Sequence, residues 1–334
     1  MTVPDGALPA RRRRGERRRL LGYAGRRLGT SAVLLVLLSA FVYVGVALLP
    51  GDPVTARLGT QAPAADVAAA RARLGLDRPL PARYADWSAR LLRGDLGTSL
   101  VSGRPVRALL TERLGNSVLL AALTLALVVP LSLALGVWAG LHRDGRADRA
   151  LLLGTVALVA VPEYIVAGLL VVVVAISLHL LPAVSLVPAG DSPVQHPDML
   201  VLPVTSLLLL SLAYAVRVIR ASTAAALRAP HVDSARLNGA SDRLLLRRAV
   251  LPAVLPVAVQ IWALLSVGLV GGAVLIERVY GYPGIGEELV SSVQTGDLPV
   301  AQALAMLLGG AMLVALLVAD LAVVLLTPRL RTTV

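Results

Sequence analysis

Hydrophobic residues run in long, nearly unbroken stretches along most of this chain, and polar residues are confined to the segments between them. Six of these stretches are long enough to cross the hydrocarbon core of a bilayer as helices. The predicted spans are residues 30–49, 116–141, 150–181, 200–218, 253–276 and 301–326. The pattern therefore predicts an all-α integral membrane protein with six transmembrane helices.

The polar segments divide the chain further. We predict an arginine-rich tail at residues 1–29, the first span at 30–49, a long polar loop at 50–115, and a five-helix core at 116–331. The long loop contains two amphipathic pieces, at residues 64–76 and 81–93. The second piece places Tyr84, Trp87 and Leu91 at helical spacing, which is typical of a helix lying on the membrane surface.

The charges of the short loops predict the orientation. Arginine is concentrated at residues 142–149 and 219–252, whereas the loops at 182–199 and 277–300 are mostly acidic. Because clustered basic residues are retained in the cytoplasm, both termini are expected inside and the 50–115 loop outside. In this interpretation Glu277 and Asp297 are charges of an external loop.

Composition excludes several functions. The chain has 334 residues, of which 57% are hydrophobic, and it contains no cysteine and no lysine, so all 32 basic residues are arginine. Without lysine, a Walker-type phosphate loop cannot be completed, and any ATP must be bound by another chain. The net charge of +12 is explained by loops that face anionic membrane lipid, and we expect no nucleic-acid partner.

Ionisable residues inside apolar stretches are the candidate chemistry. Glu163 and Tyr164 follow Pro162 within the third predicted span, where they either line a translocation path or are satisfied by a neighbouring helix. The proline is expected to free the backbone carbonyl of residue 158. Asp320 lies near a helix end and is expected to pair with an arginine. The histidines are scattered over different loops, so we predict no metal site and no catalytic residue.

Glycines in the last two spans predict close helix contacts or hinges, and the sequence does not separate these two roles. They are Gly268, Gly271, Gly272, Gly309 and Gly310.

The segment at 228–256 is the longest polar, helix-prone interruption in the second half of the chain. It carries five arginines but only Asp233 and Asp242 as acids. Such a segment is too polar for lipid and too rich in Ala, Leu and Arg for a flexible linker. We expect a short cytoplasmic helical element that docks onto another protein.

This segment resembles the EAA loop of ABC-importer permeases. Asp233, Ser234 and Ala235 are followed at family spacing by Gly239 and by Leu251-Pro252, although aspartate and serine replace the usual first two residues. LLPGDPV at 48–54, GDLGTSLVSGRPV at 94–106, ARLNGAS at 235–241, GYPGIGEELV at 281–290 and TPRLR at 327–331 are similar to motifs of the dipeptide/oligopeptide/nickel permease family.

The resemblance implies a type I importer permease in a bacterial plasma membrane. Its expected partners are a second homologous permease, two cytoplasmic ABC ATPases that hold ATP and Mg, and an extracytoplasmic solute-binding protein. This chain is then not an enzyme and binds no cofactor. Within the loop at 220–252, the resemblance implies a coupling helix whose residues contact the ATPase. Those residues are Asp233, Ser234, Ala235, Arg236, Gly239, Leu251 and Pro252.

Ala235 and Gly239 are four residues apart and are expected to share one helical face, which lets a partner backbone approach. Two alternatives remain open at this point: an ion-coupled secondary transporter or channel that uses Glu163 and Asp320, and an intramembrane enzyme. The solute is also open among dipeptides, longer peptides, nickel chelates and glutathione-like compounds.

Overall fold

Helices account for most of the residues that the structure describes, which confirms the predicted all-α class. The computed structural model describes residues 10–48, 54, 61–73, 75–188 and 191–326. The helices are α1 Ala10–Ala47, α2 Ala64–Arg73, α3 Leu80–Leu92, α4 Val106–Leu141, α5 Arg146–Ala160, α6 Glu163–Leu170, α7 Pro197–Leu227, α8 Pro230–Leu237, α9 Asp242–Leu245, α10 Leu251–Tyr280, α11 Ile285–Gln294 and α12 Leu298–Leu326. Helix α6 continues as a π-helix over Val171–Ser177, and the π-helical turn Leu246–Val250 joins α9 to α10.

Five helical segments of the described chain are long and apolar enough to cross a membrane. They are Gly25–Ala47, Val106–Leu141, Pro197–Leu227, Asp242–Tyr280 and Leu298–Asp320. The pair α5 and α6 adds a sixth span if it is taken as one crossing, although its two halves are bent by 105°. The membrane-spanning architecture predicted from hydropathy is therefore confirmed, with five unbroken candidates and one broken one.

The expectation of one continuous helix over residues 150–181 is wrong. Helix α5 ends at Ala160, and Val161 takes an extended conformation with φ −100° and ψ 128°. The ring of Pro162 disfavours helical geometry at the preceding residue, which explains the break. The Leu158 carbonyl, expected to be freed by this proline, accepts a hydrogen bond from the Val161 amide at 3.3 Å.

Helix α7 lies at the centre of the fold, in contact with α4, α5 and α10. Its closest neighbour is α4, at two glycines one turn apart. A Cβ on Gly136 would lie 2.6 Å from Ile219 Cγ2, and a Cβ on Gly140 would lie 2.5 Å from Thr223 Cβ. The two helices can pack this closely only because α4 has no side chain at these positions.

Some of the glycines singled out from the sequence lie in close contact with another element, and others do not. At Gly268 and Gly271, nothing lies within 4 Å of the position that a Cβ would occupy. A Cβ on Gly309 would instead collide with Leu38 of α1, and one on Gly272 would meet Glu163. Close helix contacts therefore form at Gly309, which the sequence singled out, and at two glycines of α4, which it did not.

Helix α1 packs against α12 and contacts α3 near its C-terminal end. Arg27 pairs with Asp320 at 3.1 Å, which confirms the expected pairing of this acid with an arginine. The aromatic face of α3 does not lie free on a membrane surface. Tyr84 and Trp87 instead pack against Tyr43 of α1, with ring centroids 5.5 and 5.2 Å away.

The observed helices also shift several predicted boundaries. Helix α4 begins at Val106, inside the loop expected at 50–115, and α7 continues to Leu227, inside the loop expected at 220–252. The predicted turn at 50–53, the first nine residues of the basic tail and the TPRLR motif at 327–331 lie outside the described residues.

Candidate functional site

The segment that resembles a coupling loop forms a short helix, a glycine turn and a second helical start. Ala229 is extended, and Pro230 then occupies the first turn of α8, where its missing amide costs nothing. Helix α8 ends at Leu237, and Gly239 has φ +81°, a left-handed conformation that glycine adopts at little cost. The expectation that Ala235 and Gly239 share one helical face is therefore wrong, because Gly239 lies in the turn beyond the helix.

Helix α8 is anchored by one side chain and exposes most of the others. Val232 is 1% exposed, whereas Asp233, Ser234 and Arg236 are exposed and Leu237 is 88% exposed. The exposed residues of α8 are therefore accessible to another protein.

The seven residues predicted for the coupling site fall into two groups. Asp233, Ser234, Ala235, Arg236 and Gly239 lie on α8 or in the turn after it. Leu251 and Pro252 instead begin α10, where half-buried Leu251 packs on the cluster that contains Val250 and Val254. The second group therefore stabilises the start of α10 and does not belong to the exposed α8 surface.

A buried ion pair lies close to this segment in the fold. Arg220 of α7 donates two hydrogen bonds of 2.5 Å to the Asp148 carboxylate of α5, and their side chains are 14% and 1% exposed. The Asp144 amide adds a third hydrogen bond to Asp148 at 3.0 Å. This pair joins the α4–α5 loop to α7 shortly before α7 leads into α8. In the sequence both residues look like loop charges. The pair could have been suspected from two features: Asp148 stands in the first turn of one apolar helix, and Arg220 stands within another.

Glu163 and Tyr164 lie at the sharp bend between α5 and α6. The Glu163 carboxylate packs against α10, with Oε2 2.9 Å from where a Cβ on Gly272 would lie. In the described part of the chain it has no hydrogen-bonding or charged partner, and Tyr164 is 51% exposed. These residues are thus brought to α10 and are not part of the α8 segment.

Another polar cluster forms around Glu277, near the C-terminal end of α10. This carboxylate is fully buried and accepts hydrogen bonds from Ser117 Oγ at 2.6 Å and the Gly286 amide at 2.7 Å. A Cβ on Gly284 would collide with it, so the glycine pattern of the 281–290 motif makes room for the carboxylate. The expectation that Glu277 is an external-loop charge is wrong: it ends a helix and ties α10, α4 and α11 together.

Tyr282 strengthens the same junction. Its hydroxyl donates to the Asn116 carbonyl at 2.9 Å, and the Asn116 side-chain amide donates to the Pro283 carbonyl at 2.9 Å. Burial, and then the nearby Glu277 carboxylate, raise the pKa of Tyr282, so the phenol remains protonated and able to donate.

Asp297 contacts one of the motifs that carry the family resemblance. Its carboxylate accepts hydrogen bonds from Ser99 Oγ and from the amides of Leu100 and Val101, the latter two at 3.0 and 3.4 Å. The 94–106 motif is thereby fixed to the start of α12. Asp297 was also expected to be a loop charge, and its role is visible only once the two distant segments meet.

Comparison with known proteins identifies the family. Residues 132–332 match the model of the binding-protein-dependent transport system inner membrane component, and residues 20–121 match the N-terminal model of the same transport-system membrane component. The chain belongs to this family. It is accordingly a multi-pass inner-membrane permease of an ABC transport system that works with a solute-binding protein, and it is not an enzyme.

Individual relatives agree over nearly the whole permease. A probable peptide ABC transporter permease of Sinorhizobium fredii is 31% identical over 310 residues, which are 92% of this chain and 99% of the relative. A putative peptide transport system permease of Brucella abortus is 30% identical over 310 residues, with 92% and 98% coverage. The glutathione transport system permease protein of Pectobacterium atrosepticum is 31% identical over 317 residues, with 93% and 99% coverage. The resemblance noted from the motifs is thereby confirmed.

Proposed function

We propose that this permease imports di- or oligopeptides, or similar small solutes, that an external binding protein delivers. It pairs with a second homologous permease, and two ABC ATPases bind ATP and Mg and drive the cycle. The relatives named as peptide and glutathione permeases support this solute class. The absence of lysine supports the assignment of ATP binding to other chains.

The observation that carries the coupling role is the exposed surface of α8. Leu237 is 88% exposed at the end of a helix whose opposite side is anchored by Val232. Single exposed apolar residues are common on proteins, so the docking role rests on the position of Leu237 within the segment that resembles the EAA loop. We assign this surface to the ATPase groove, with Leu237 as its apolar contact and Asp233, Ser234 and Arg236 at the rim.

The Asp148–Arg220 pair provides a route from α8 into the membrane. Because Arg220 lies on α7 and Asp148 on α5, motion delivered to the end of α7 is passed to α5 as well. Packed helices can switch between two arrangements, and such a switch opens the solute path to one side of the membrane or the other. Closure of the two ATPases would drive that switch through α8.

The coupling role is tested with Leu237→Asp and a matched control, Leu92→Asp. Leu92 is 89% exposed at the end of α3, so the two substitutions add the same charge at equally exposed sites. In the reconstituted full complex, we expect Leu237→Asp to reduce ATPase co-purification and binding-protein-stimulated hydrolysis at least tenfold, and Leu92→Asp to preserve both. Normal coupling in Leu237→Asp, or equal loss in both variants, would overturn the assignment.

The orientation is tested in cells, because a chain without cysteine reports on each introduced thiol separately. With both termini cytoplasmic, α8 is inside and α3 is outside. Leu92→Cys should then react with a membrane-impermeant maleimide in intact spheroplasts, whereas Leu237→Cys should react only after lysis. The reverse labelling pattern excludes the proposed topology.

We also place Glu163 and Tyr164 in the translocation path. Two observations support this placement: the bend at Pro162, and a Glu163 carboxylate that lies against Gly272 without a polar partner among the described residues. An ionisable group within a membrane protein usually faces a cavity or a polar partner. Glu163→Gln should leave assembly intact but change uptake by the full complex at least severalfold. Unchanged uptake across pH removes Glu163 from the path, and gradient-driven uptake by this chain alone would favour a secondary transporter.

A further inference from the structure

A cavity of about 610 Å³ lies between α3, the loop at 95–105 and the start of α12. Its volume falls within the range of roughly 300–1,000 Å³ that is typical of small-molecule sites. Tyr43, Trp87, two prolines and four leucines contribute apolar surface, and the polar part of the lining consists of arginines, aspartates, Thr98 and Gln302. The proposed orientation places this cavity on the outer side of the membrane, where solute arrives.

Gln302 is the most informative residue of the lining. Its side chain is 7% exposed, and within the described ranges no group hydrogen bonds to its amide. The amide itself is accessible from the cavity, because neither of its polar atoms is fully buried. Its donor and acceptor are therefore available to a ligand that itself carries both a donor and an acceptor, as a peptide bond does.

The charged lining residues are unequally neutralised. Arg78 pairs with Asp86 at 2.5 Å, whereas Arg83 and Arg90 have no acidic partner in the part of the chain that the structure describes. Asp95 uses one carboxylate oxygen to accept the Gly97 amide at 2.9 Å, and its other oxygen makes no hydrogen bond to a described residue. The cavity thus combines two available cations with one available acid.

We propose that this cavity is a binding site of the permease itself for a short zwitterionic peptide. Arg83 and Arg90 bind the terminal carboxylate, Gln302 binds a peptide group, and Asp95 binds the terminal ammonium. Guanidinium groups suit carboxylates because they donate several hydrogen bonds together with charge. An anionic lipid headgroup fits less well, since Asp95 would repel it and it would leave the Gln302 amide partly unsatisfied. The peptide class rests on the proposed function, but binding to this chain requires no ATPase.

The proposal is tested by isothermal titration of trialanine into the purified full-length chain in phosphatidylcholine nanodiscs. We expect saturable binding that weakens about tenfold or more for C-terminally amidated trialanine and for the Arg83→Gln and Gln302→Leu variants, since each loses a hydrogen bond or ion pair. Arg107→Gln is the control, because Arg107 is exposed near the same segment but does not line the cavity. Circular dichroism melting establishes that each variant is folded.

Three results would overturn the proposal: no saturable binding of trialanine to the unsubstituted chain, equal affinity in the folded cavity variants, or equal affinity for the amidated peptide. A lipid site would be revealed if trialanine failed to bind while phosphatidylglycerol protected Arg83 from modification by an arginine-specific dicarbonyl. ATP-driven peptide uptake by the full complex is measured in parallel. If uptake persists while trialanine does not bind this chain, the cavity proposal fails and the importer assignment stands.

Discussion

Asp148→Asn removes the charge of one partner of the buried Asp148–Arg220 pair and leaves the side-chain size almost unchanged. The carboxylate is 1% exposed and holds Arg220 through two hydrogen bonds of 2.5 Å. Breaking a buried pair by neutralising one partner leaves an uncompensated charge and costs about 3–5 kcal/mol. We expect Asp148→Asn to lower the free energy of unfolding by this amount.

The chain supplies a matched control for this prediction. Arg78 and Asp86 are also 2.5 Å apart, but their side chains are 56% and 54% exposed. Because an exposed ion pair contributes only about 0–1 kcal/mol, Asp86→Asn should change the unfolding free energy by less than about 1 kcal/mol. The difference between the two substitutions isolates the effect of burial.

The measurement is reversible unfolding by sodium dodecyl sulfate in mixed micelles, followed by circular dichroism. The double variant Asp148→Leu, Arg220→Met should recover much of the loss, because replacing both partners with apolar residues leaves no isolated charge. If Asp148→Asn is no more destabilising than Asp86→Asn, or if the double variant is as unstable as the sum of its single changes, the pair does not act as a buried unit.

Three further predictions concern helix packing and the Glu277 and Asp297 junctions. Gly140→Val should destabilise the fold by about 1–3 kcal/mol or more through collision with Thr223. Gly154→Val should be tolerated, because nothing lies within 4 Å of the position that its Cβ would occupy. Equal melting temperatures of the two variants would contradict this prediction. Gly284→Ala should displace α11 by forcing the Glu277 carboxylate aside, whereas Gly268→Ala should not. Hydrogen exchange of the 285–294 amides measures the difference. Unchanged protection of these amides in Gly284→Ala would argue against the Glu277 junction. Asp297→Ala should speed hydrogen exchange at Leu100 and Val101 and cost about 1–3 kcal/mol through lost hydrogen bonds, an expectation that fails if both amides stay protected.

The candidate site residues differ in whether their sequence signal is local. The α8 segment was singled out because its motif, its polarity and its turn glycine are contiguous in sequence, and its coupling role stays a prediction. The Glu277 and Asp297 junctions were missed, since both acids look like solvated loop charges until their distant partners are known. Ser117 of α4 binds Glu277, and Ser99, which precedes α4, binds Asp297; in both pairs the serine is distant from the acid along the sequence.

Hydropathy alone determined that this chain is a helical membrane protein, and its motifs determined the permease family, because both are properties of contiguous residues. The lipid environment requires each span to satisfy its own backbone hydrogen bonds, so span-forming segments are readable locally. Only the tertiary structure decided which glycines bring helices together, where the third span bends and how far, and which acid meets which arginine. Those outcomes depend on contacts between residues far apart in the chain, as in the Asp148–Arg220 pair, and their energies exist only after the helices have packed.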